Sequence, residues 1–305
     1  MILNKIPIYE WNNVLGLQLE HDCIELLYAP VISNVPVDVP DSEKVLILHK
    51  KPEDPYREAY EYVLNDFIDM GEFTYELYLA MPYFVEIYQM WKQKQDFQWQ
   101  LLFLYLIGNC LSTDFPRNHF SKRLNETLPK EILETYSYSI EIIQEEAKEF
   151  VAAYFERLKQ LSIEDVEQFC QSLLAILGDR EAAYVLFMGQ FDECCVACPH
   201  CFDPDEDSDV EYYFDWYVGE HPVCSLGEEL IPAPSVIGQW DRKSYDNDYL
   251  WMSNLLYLLG SQDGAKKMSF YYGTLICPNC GKEAGIVMDL AKRQMIWDGE
   301  SYQSD

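Results

Sequence analysis

The chain has 305 residues, with 22 Lys plus Arg against 52 Asp plus Glu, and carries a formal net charge of -30. Such a field repels nucleic-acid phosphates and anionic lipid head groups, which have to be met by Lys and Arg, so neither nucleic acid nor a membrane is expected as a partner. A hydrophobic fraction of 49% and an aromatic fraction of 15% are too high for a disordered chain and suffice for two domains with substantial cores.

The N-terminus turns polar at Asn4 and Lys5 and lacks the apolar stretch of a signal peptide. The longest apolar run, residues 101–107, falls far short of a membrane span. Cys23, Cys110, Cys170 and Cys224 are scattered singly, without the spacing of a disulfide framework, and a reducing cytoplasm is the expected location. Residues 1–54 read as an irregular N-terminal cap, in which Pro30, Pro36 and Pro40 break the chain ahead of one short strand at 44–49.

Residues 55–190 read as a helical domain, because apolar residues return every three or four positions. The clearest stripe is Ile140, Ile143, Ala147, Phe150, Val151, Tyr154, Leu158 and Leu161, with Glu141, Glu145, Glu146, Glu149 and Glu156 mostly off it. Pro82 is expected to open a helix at 83–91, Asp96 to cap one at 97–107, and Ser162 with Asp165 to form a capping box before 166–177. Gly108 and Gly178 sit just past dense apolar runs, where a left-handed C-cap is expected.

One pattern recurs: Leu106-Ile107-Gly108-Asn109, Ile176-Leu177-Gly178-Asp179 and Leu258-Leu259-Gly260-Ser261 each join a buried helix end, a glycine and a small polar cap. The intervals are about twice the roughly 40-residue period of a HEAT or armadillo unit. After the second and third copies come a short helix, a glycine (Gly189, Gly273), an apolar stretch and a pair of cysteines. An approximate duplication would set those two cysteine pairs side by side.

The pairs are Cys198-Pro199-His200-Cys201 and Cys277-Pro278-Asn279-Cys280-Gly281, and they define the region 191–305 as an α+β zinc-knuckle, zinc-ribbon-like segment. Two thiolates two residues apart grip one ion from a tight turn, and two such turns complete a tetrahedral shell. The expected ligands are therefore Cys198, Cys201, Cys277 and Cys280. Cys195 with Cys198 is a rival first knuckle, and His221 with Cys224 a weaker one. A shell of four thiolates leaves no open position for water, so the one zinc ion is expected to be structural.

Asp203, Asp205, Glu206, Asp207, Asp209 and Glu211 form an acidic loop between the knuckles. It reads either as a solvated loop or as a charged surface for a basic protein partner, toward which the whole field steers encounter. A calcium loop fits poorly, since the downstream glycine and glutamate are missing. Beyond it a strand is expected at 212–218, a helix from Asp248 and a strand at 268–276.

No phosphate-binding glycine loop, nucleophile elbow or H-E-x-x-H motif is present, and the five histidines are dispersed. The chain is read as a non-enzyme.

Three segments, Leu79-Ala80-Met81-Pro82-Tyr83-Phe84-Val85-Glu86-Ile87-Tyr88, Leu102-Phe103-Leu104-Tyr105-Leu106-Ile107-Gly108 and Tyr272-Gly273-Thr274-Leu275-Ile276-Cys277-Pro278-Asn279-Cys280-Gly281, carry a resemblance. The chain resembles the HEAT-like immunity proteins of bacterial polymorphic toxin systems over its helical region and last knuckle. The resemblance implies a mainly α, HEAT-like stack of helix pairs in a cytosolic protein that binds one cognate toxin, often a nuclease, and occludes its active site. A basic toxin suits the acidic field, while the full pair of knuckles departs from the plainest members. The alternatives are a zinc-stapled scaffold or adaptor without inhibitory activity, and an enzyme with an unfamiliar site.

Overall fold

The computed structural model describes residues 5–7, 10, 24, 27–28, 31–32, 68–69, 72–73, 75–114, 127–188, 193–197, 200, 213–217, 223–224, 231–233, 240–277 and 280–285. These residues are mainly helical, and the chain falls into two compact units, Met1–Leu177 and Gly178–Asp305. The expected strand at 44–49 lies outside the described residues. Within the expected cap, positions 24, 27–28 and 31–32 are helical, and Ile24, Leu27 and Val31 are buried.

Among the described residues of the first unit a short hairpin, β1 (Ile68–Asp69) with β2 (Glu72–Phe73), precedes the helices α1 (Tyr75–Gln93), α2 (Phe97–Ser112), α3 (Lys130–Leu158) and α4 (Ile163–Leu177). The starts follow local chemistry. The Asp96 side chain accepts the Trp99 N–H at 3.1 Å, and the Ser162 hydroxyl accepts the Asp165 N–H at 3.1 Å while donating to its carboxylate at 2.7 Å, so both expected caps form. The turn from α1 into α2 closes as the Asp96 N–H reaches the Trp91 carbonyl at 3.2 Å, over Gln95 at a φ of 57°.

Packing joins α1 to α2, α3 to α4, α1 to α3 and α2 to α4. First helix lies on first helix and second on second, which makes two stacked helix pairs. The shared core includes Phe84, Leu101, Phe103, Ile143, Phe150, Phe169 and Leu173, and Phe150 stacks on Phe97 with ring centroids 5.5 Å apart. Every residue of α2 except Gln98 and Tyr105 is buried.

Three expectations are corrected here. Pro82 does not open a helix; α1 begins at Tyr75 and runs through it, forgoing one backbone bond within an otherwise buried segment. Gly108 does not cap α2, which continues to Ser112; a Cβ at Gly108 would stand 2.4 Å from the Ser172 Cβ, so the glycine serves close approach of α2 and α4. The α3 stripe also shifts at its end: Tyr154 has non-helical φ and ψ of -113° and 18°, and Phe155 is buried in its place.

The second unit holds α5 (Arg180–Met188), β3 (Glu193–Ala197), β4 (Tyr213–Tyr217), β5 (Val223–Cys224), α6 (Asp248–Leu259), α7 (Gln262–Tyr271), β6 (Thr274–Ile276) and β7 (Glu283–Gly285). β3, β4 and β5 form an antiparallel sheet, and β6 pairs with β7. The expected strand at 212–218 is β4, and the helix expected from Asp248 is α6, capped by Asn247. The strand expected at 268–276 is corrected: residues up to Tyr271 complete α7, whose N-cap Ser261 accepts the Gly264 N–H at 3.2 Å. Gly260 is the left-handed C-cap of α6, with φ 105°. Gly178 is no such cap; a Cβ there would lie 2.2 Å from Asp248 Oδ1.

The recurrence noted in the sequence has a counterpart in element order. Helix, glycine, polar cap, short helix and strand succeed one another from α4 to β3 and again from α6 to β6, and each strand ends one residue before a C-P-x-C.

Candidate metal centre

Cys277 follows β6 directly, and the turn from it to β7 is closed by two backbone bonds: the Gly281 N–H to the Cys277 carbonyl at 2.8 Å, and the Cys277 N–H to the Lys282 carbonyl at 2.9 Å. Gly281 has φ 69°, the left-handed conformation that a residue without Cβ adopts without strain. Cys277 is buried and Cys280 half-buried. Both thiols thus sit in one tight loop at the mouth of a regular hairpin, the form in which two sulfurs reach a single ion.

That hairpin is held from its other edge. Ile231 exchanges two backbone bonds with Thr274, both at 2.9 Å, so Thr274 has Gly285 on one side and Ile231 on the other. A Cβ at Gly273 would meet the Ile231 carbonyl oxygen at 2.1 Å, and only glycine admits this strand-like neighbour.

β3, which precedes the first cysteine pair in sequence, pairs with β4 residue for residue, Glu193 with Tyr217 through Ala197 with Tyr213. Cys195 lies in mid-ladder opposite Asp215. Cys198 and Cys201 lie outside the described residues, but His200 between them is described. Its Nε2 donates to the Glu283 carbonyl at 3.1 Å; a carbonyl oxygen only accepts, so this nitrogen carries the proton. Its place inside C-P-H-C is the signal that the sequence offers for this contact.

Among the described residues no group of three or more His, Cys, Asp or Glu side chains is gathered for a metal ion; two of the four expected thiols are not among them. The acidic residues Asp203, Asp205, Glu206, Asp207, Asp209 and Glu211, and the rival ligand His221, also lie outside the described residues. Cys110 and Cys170 are fully buried in α2 and α4, and burial raises both thiols well above their ordinary pKa, which keeps them protonated and unfit as ligands.

A second candidate is an open groove in the same unit, lined by Trp240, Asp241, Asp246, Leu250 and Trp251. One Asp241 oxygen accepts the N–H groups of Lys243 and Ser244 at 2.9 and 3.1 Å, which lowers that carboxyl's pKa. The charge of Lys243 lowers the same carboxyl further.

No helix among the described residues is long and apolar enough to cross a membrane. No protein-family model, curated protein or solved structure matches the chain.

Proposed function

We propose that this chain is an acidic immunity protein of the HEAT-like kind, which binds a basic bacterial toxin and blocks it by occlusion, with one zinc ion in a purely structural role. The observation that carries this reading is the like-on-like stacking of two helix pairs, α1 with α2 and α3 with α4, in a chain of net charge -30. Stacked pairs build extended surfaces suited to a protein partner, and a field of one sign accelerates encounter with a partner of the other. The acidic residues between 203 and 211 add to that field in this reading. The protein acts in the cytoplasm and catalyses nothing itself.

The test is affinity capture of the tagged chain from its host at mild salt, identification by mass spectrometry, and titration of the captured protein's activity. A single basic toxin fragment, inhibited completely at about one equivalent and released as salt rises, is the expected outcome. Several housekeeping proteins without inhibition would favour the alternative, a zinc-stapled scaffold. Turnover by the chain itself, abolished by one carboxylate or histidine substitution, would favour an enzyme.

A further inference from the structure

We propose that the groove beside α6 is where the second unit meets its partner, and that it takes an arginine side chain of a basic protein, stacked on Trp240 and paired with the carboxylates of Asp241 and Asp246; this rests on the reading of a basic protein partner given above.

The groove has a volume of about 490 Å³, enough for an arginine together with the neighbouring residues of an extended segment. One part of its lining is apolar: Trp240, Leu250 and Trp251, of which Leu250 is 38% exposed. Trp240 is half-buried and held in place. Its indole N–H donates to the Ser244 carbonyl at 2.6 Å, and its ring meets Tyr245 edge-on with centroids 5.4 Å apart. Tyr245 in turn meets Trp251 at 5.2 Å. A ring fixed in this way loses little freedom when a ligand stacks on it.

The other part of the lining is acidic. Asp241 accepts the N–H groups of Lys243 and Ser244, and Asp246 accepts the Ser244 hydroxyl at 2.9 Å. Both carboxylates are thus bonded to neutral groups of their own loop, and no lysine or arginine is among the described residues that line the groove. Lys243 acts on Asp241 through its charge from outside that lining, so the groove keeps an excess of negative charge.

This pairing of indole and carboxylate selects the occupant. An apolar helix would cover the two carboxylates without compensating them. A divalent cation needs a gathered set of ligands, and the described residues hold none of three or more acidic, histidine or cysteine groups. A guanidinium meets both kinds of wall: its flat face lies on an indole, and its fork of N–H donors matches a carboxylate two bonds at a time. An ammonium is a hydrated point charge that uses the carboxylates but fits the fork and the stack less well.

The test titrates the full chain with a fluorescein-labelled Arg-Gly-Ser repeat peptide, and with the same peptide carrying Lys for Arg, at about 0.15 M salt, where the general field is screened beyond about 8 Å. The arginine peptide is expected to bind the wild type several-fold more tightly than the lysine peptide. Asp241→Asn/Asp246→Asn, whose amide oxygens can still accept the loop's hydrogen bonds, is expected to weaken it about 10-fold, and Trp240→Ala to a similar extent. Glu141→Gln/Glu164→Gln removes the same net charge from exposed positions of the first unit and is expected to change the affinity less than about twofold. Equal weakening by the two paired variants, equal affinity for the two peptides, or no binding by the wild type overturns the proposal. If Trp240→Ala does not fold, the comparison of the paired variants decides. A captured toxin inhibited equally well by the wild type and by Asp241→Asn/Asp246→Asn overturns the groove and leaves the immunity reading standing. Groove-dependent peptide binding in a chain that captures no toxin supports the groove and removes the immunity reading.

Discussion

Asp248 Oδ2 accepts the backbone N–H of Asp179 at 2.8 Å, and its other oxygen accepts the indole N–H of Trp251 at 3.0 Å. A residue in the first turn of α6 thus holds the entry to α5, whose own cap, Asp179, accepts the Ala182 N–H at 3.2 Å. Asp248→Ala removes the acceptor of both bonds, and the loss of a typical hydrogen bond costs about 0.5–1.5 kcal/mol. Thermal unfolding followed by tryptophan fluorescence should show a midpoint lowered by several degrees. Asp248→Asn, which keeps one acceptor oxygen, is expected to lose less. Equal stability of the alanine variant would show that the joint contributes nothing.

Gly108→Ala is a test of sign. In an exposed helix interior, alanine is more stable than glycine by about 0.5–1 kcal/mol, so helix propensity alone favours the substitution. Here the new methyl would stand 2.4 Å from the Ser172 Cβ, and overpacking of this kind costs about 1–3 kcal/mol. Denaturant unfolding should place Gly108→Ala below the wild type. Gly260→Ala meets no atom within 4 Å but has to hold φ 105°, and it is expected to cost about 1–2 kcal/mol through backbone strain alone.

Glu86 accepts hydrogen bonds from Lys5 Nζ and Tyr28 Oη. Burial by itself would raise this carboxyl's pKa, but the bonds from Lys5 and then Tyr28, with the Lys5 charge, hold it below the ordinary value of 4.5. A carboxylate depressed on folding stabilises the folded state fully above its unfolded pKa, and that contribution disappears as pH falls through the folded one. Unfolding midpoints measured between about pH 6 and pH 3 should therefore fall less steeply in Glu86→Gln than in the wild type. Parallel curves would mean that the cluster of Lys5, Tyr28 and Glu86 does not form.

Metal analysis of protein purified without added zinc should find about one ion per chain. Alkylation mapped by mass spectrometry should leave Cys198, Cys201, Cys277 and Cys280 protected until a chelator is added, whereas Cys110 and Cys170 stay unreactive until the chain unfolds, being fully buried thiols of raised pKa. Cys277→Ser is expected to lose both the ion and the fold of the second unit's hairpin. Modification of Cys277 at full rate in untreated protein would remove the metal from the account.

Helix starts were legible because their causes are local. Asp96 and Ser162 sit within three residues of the donors they satisfy, and that spacing can be read from the chain. The role of Gly108 was not legible, because its reason is Ser172 on another helix. A strand is expected over 268–276, yet Ser261 caps a helix that runs to Tyr271, with Ala265 and Met268 on its buried side. In the candidate centre the turn at Cys277 and the need for Gly281 followed from spacing and turn chemistry. The contact of His200 with Glu283 joins residues far apart in sequence, and no local pattern announces it.

The near-complete burial of α2 also governs how the first unit comes apart. An amphipathic helix can detach and keep its wet side solvated, but α2 has no such side. Its release would expose Leu101, Phe103, Leu104 and Ile107 together, while uncovering the faces of α1 and α4 that pack on it. Partial opening that spares the neighbours is therefore closed to this helix. Its amides should exchange with solvent only through loss of the whole first unit, as one cooperative block.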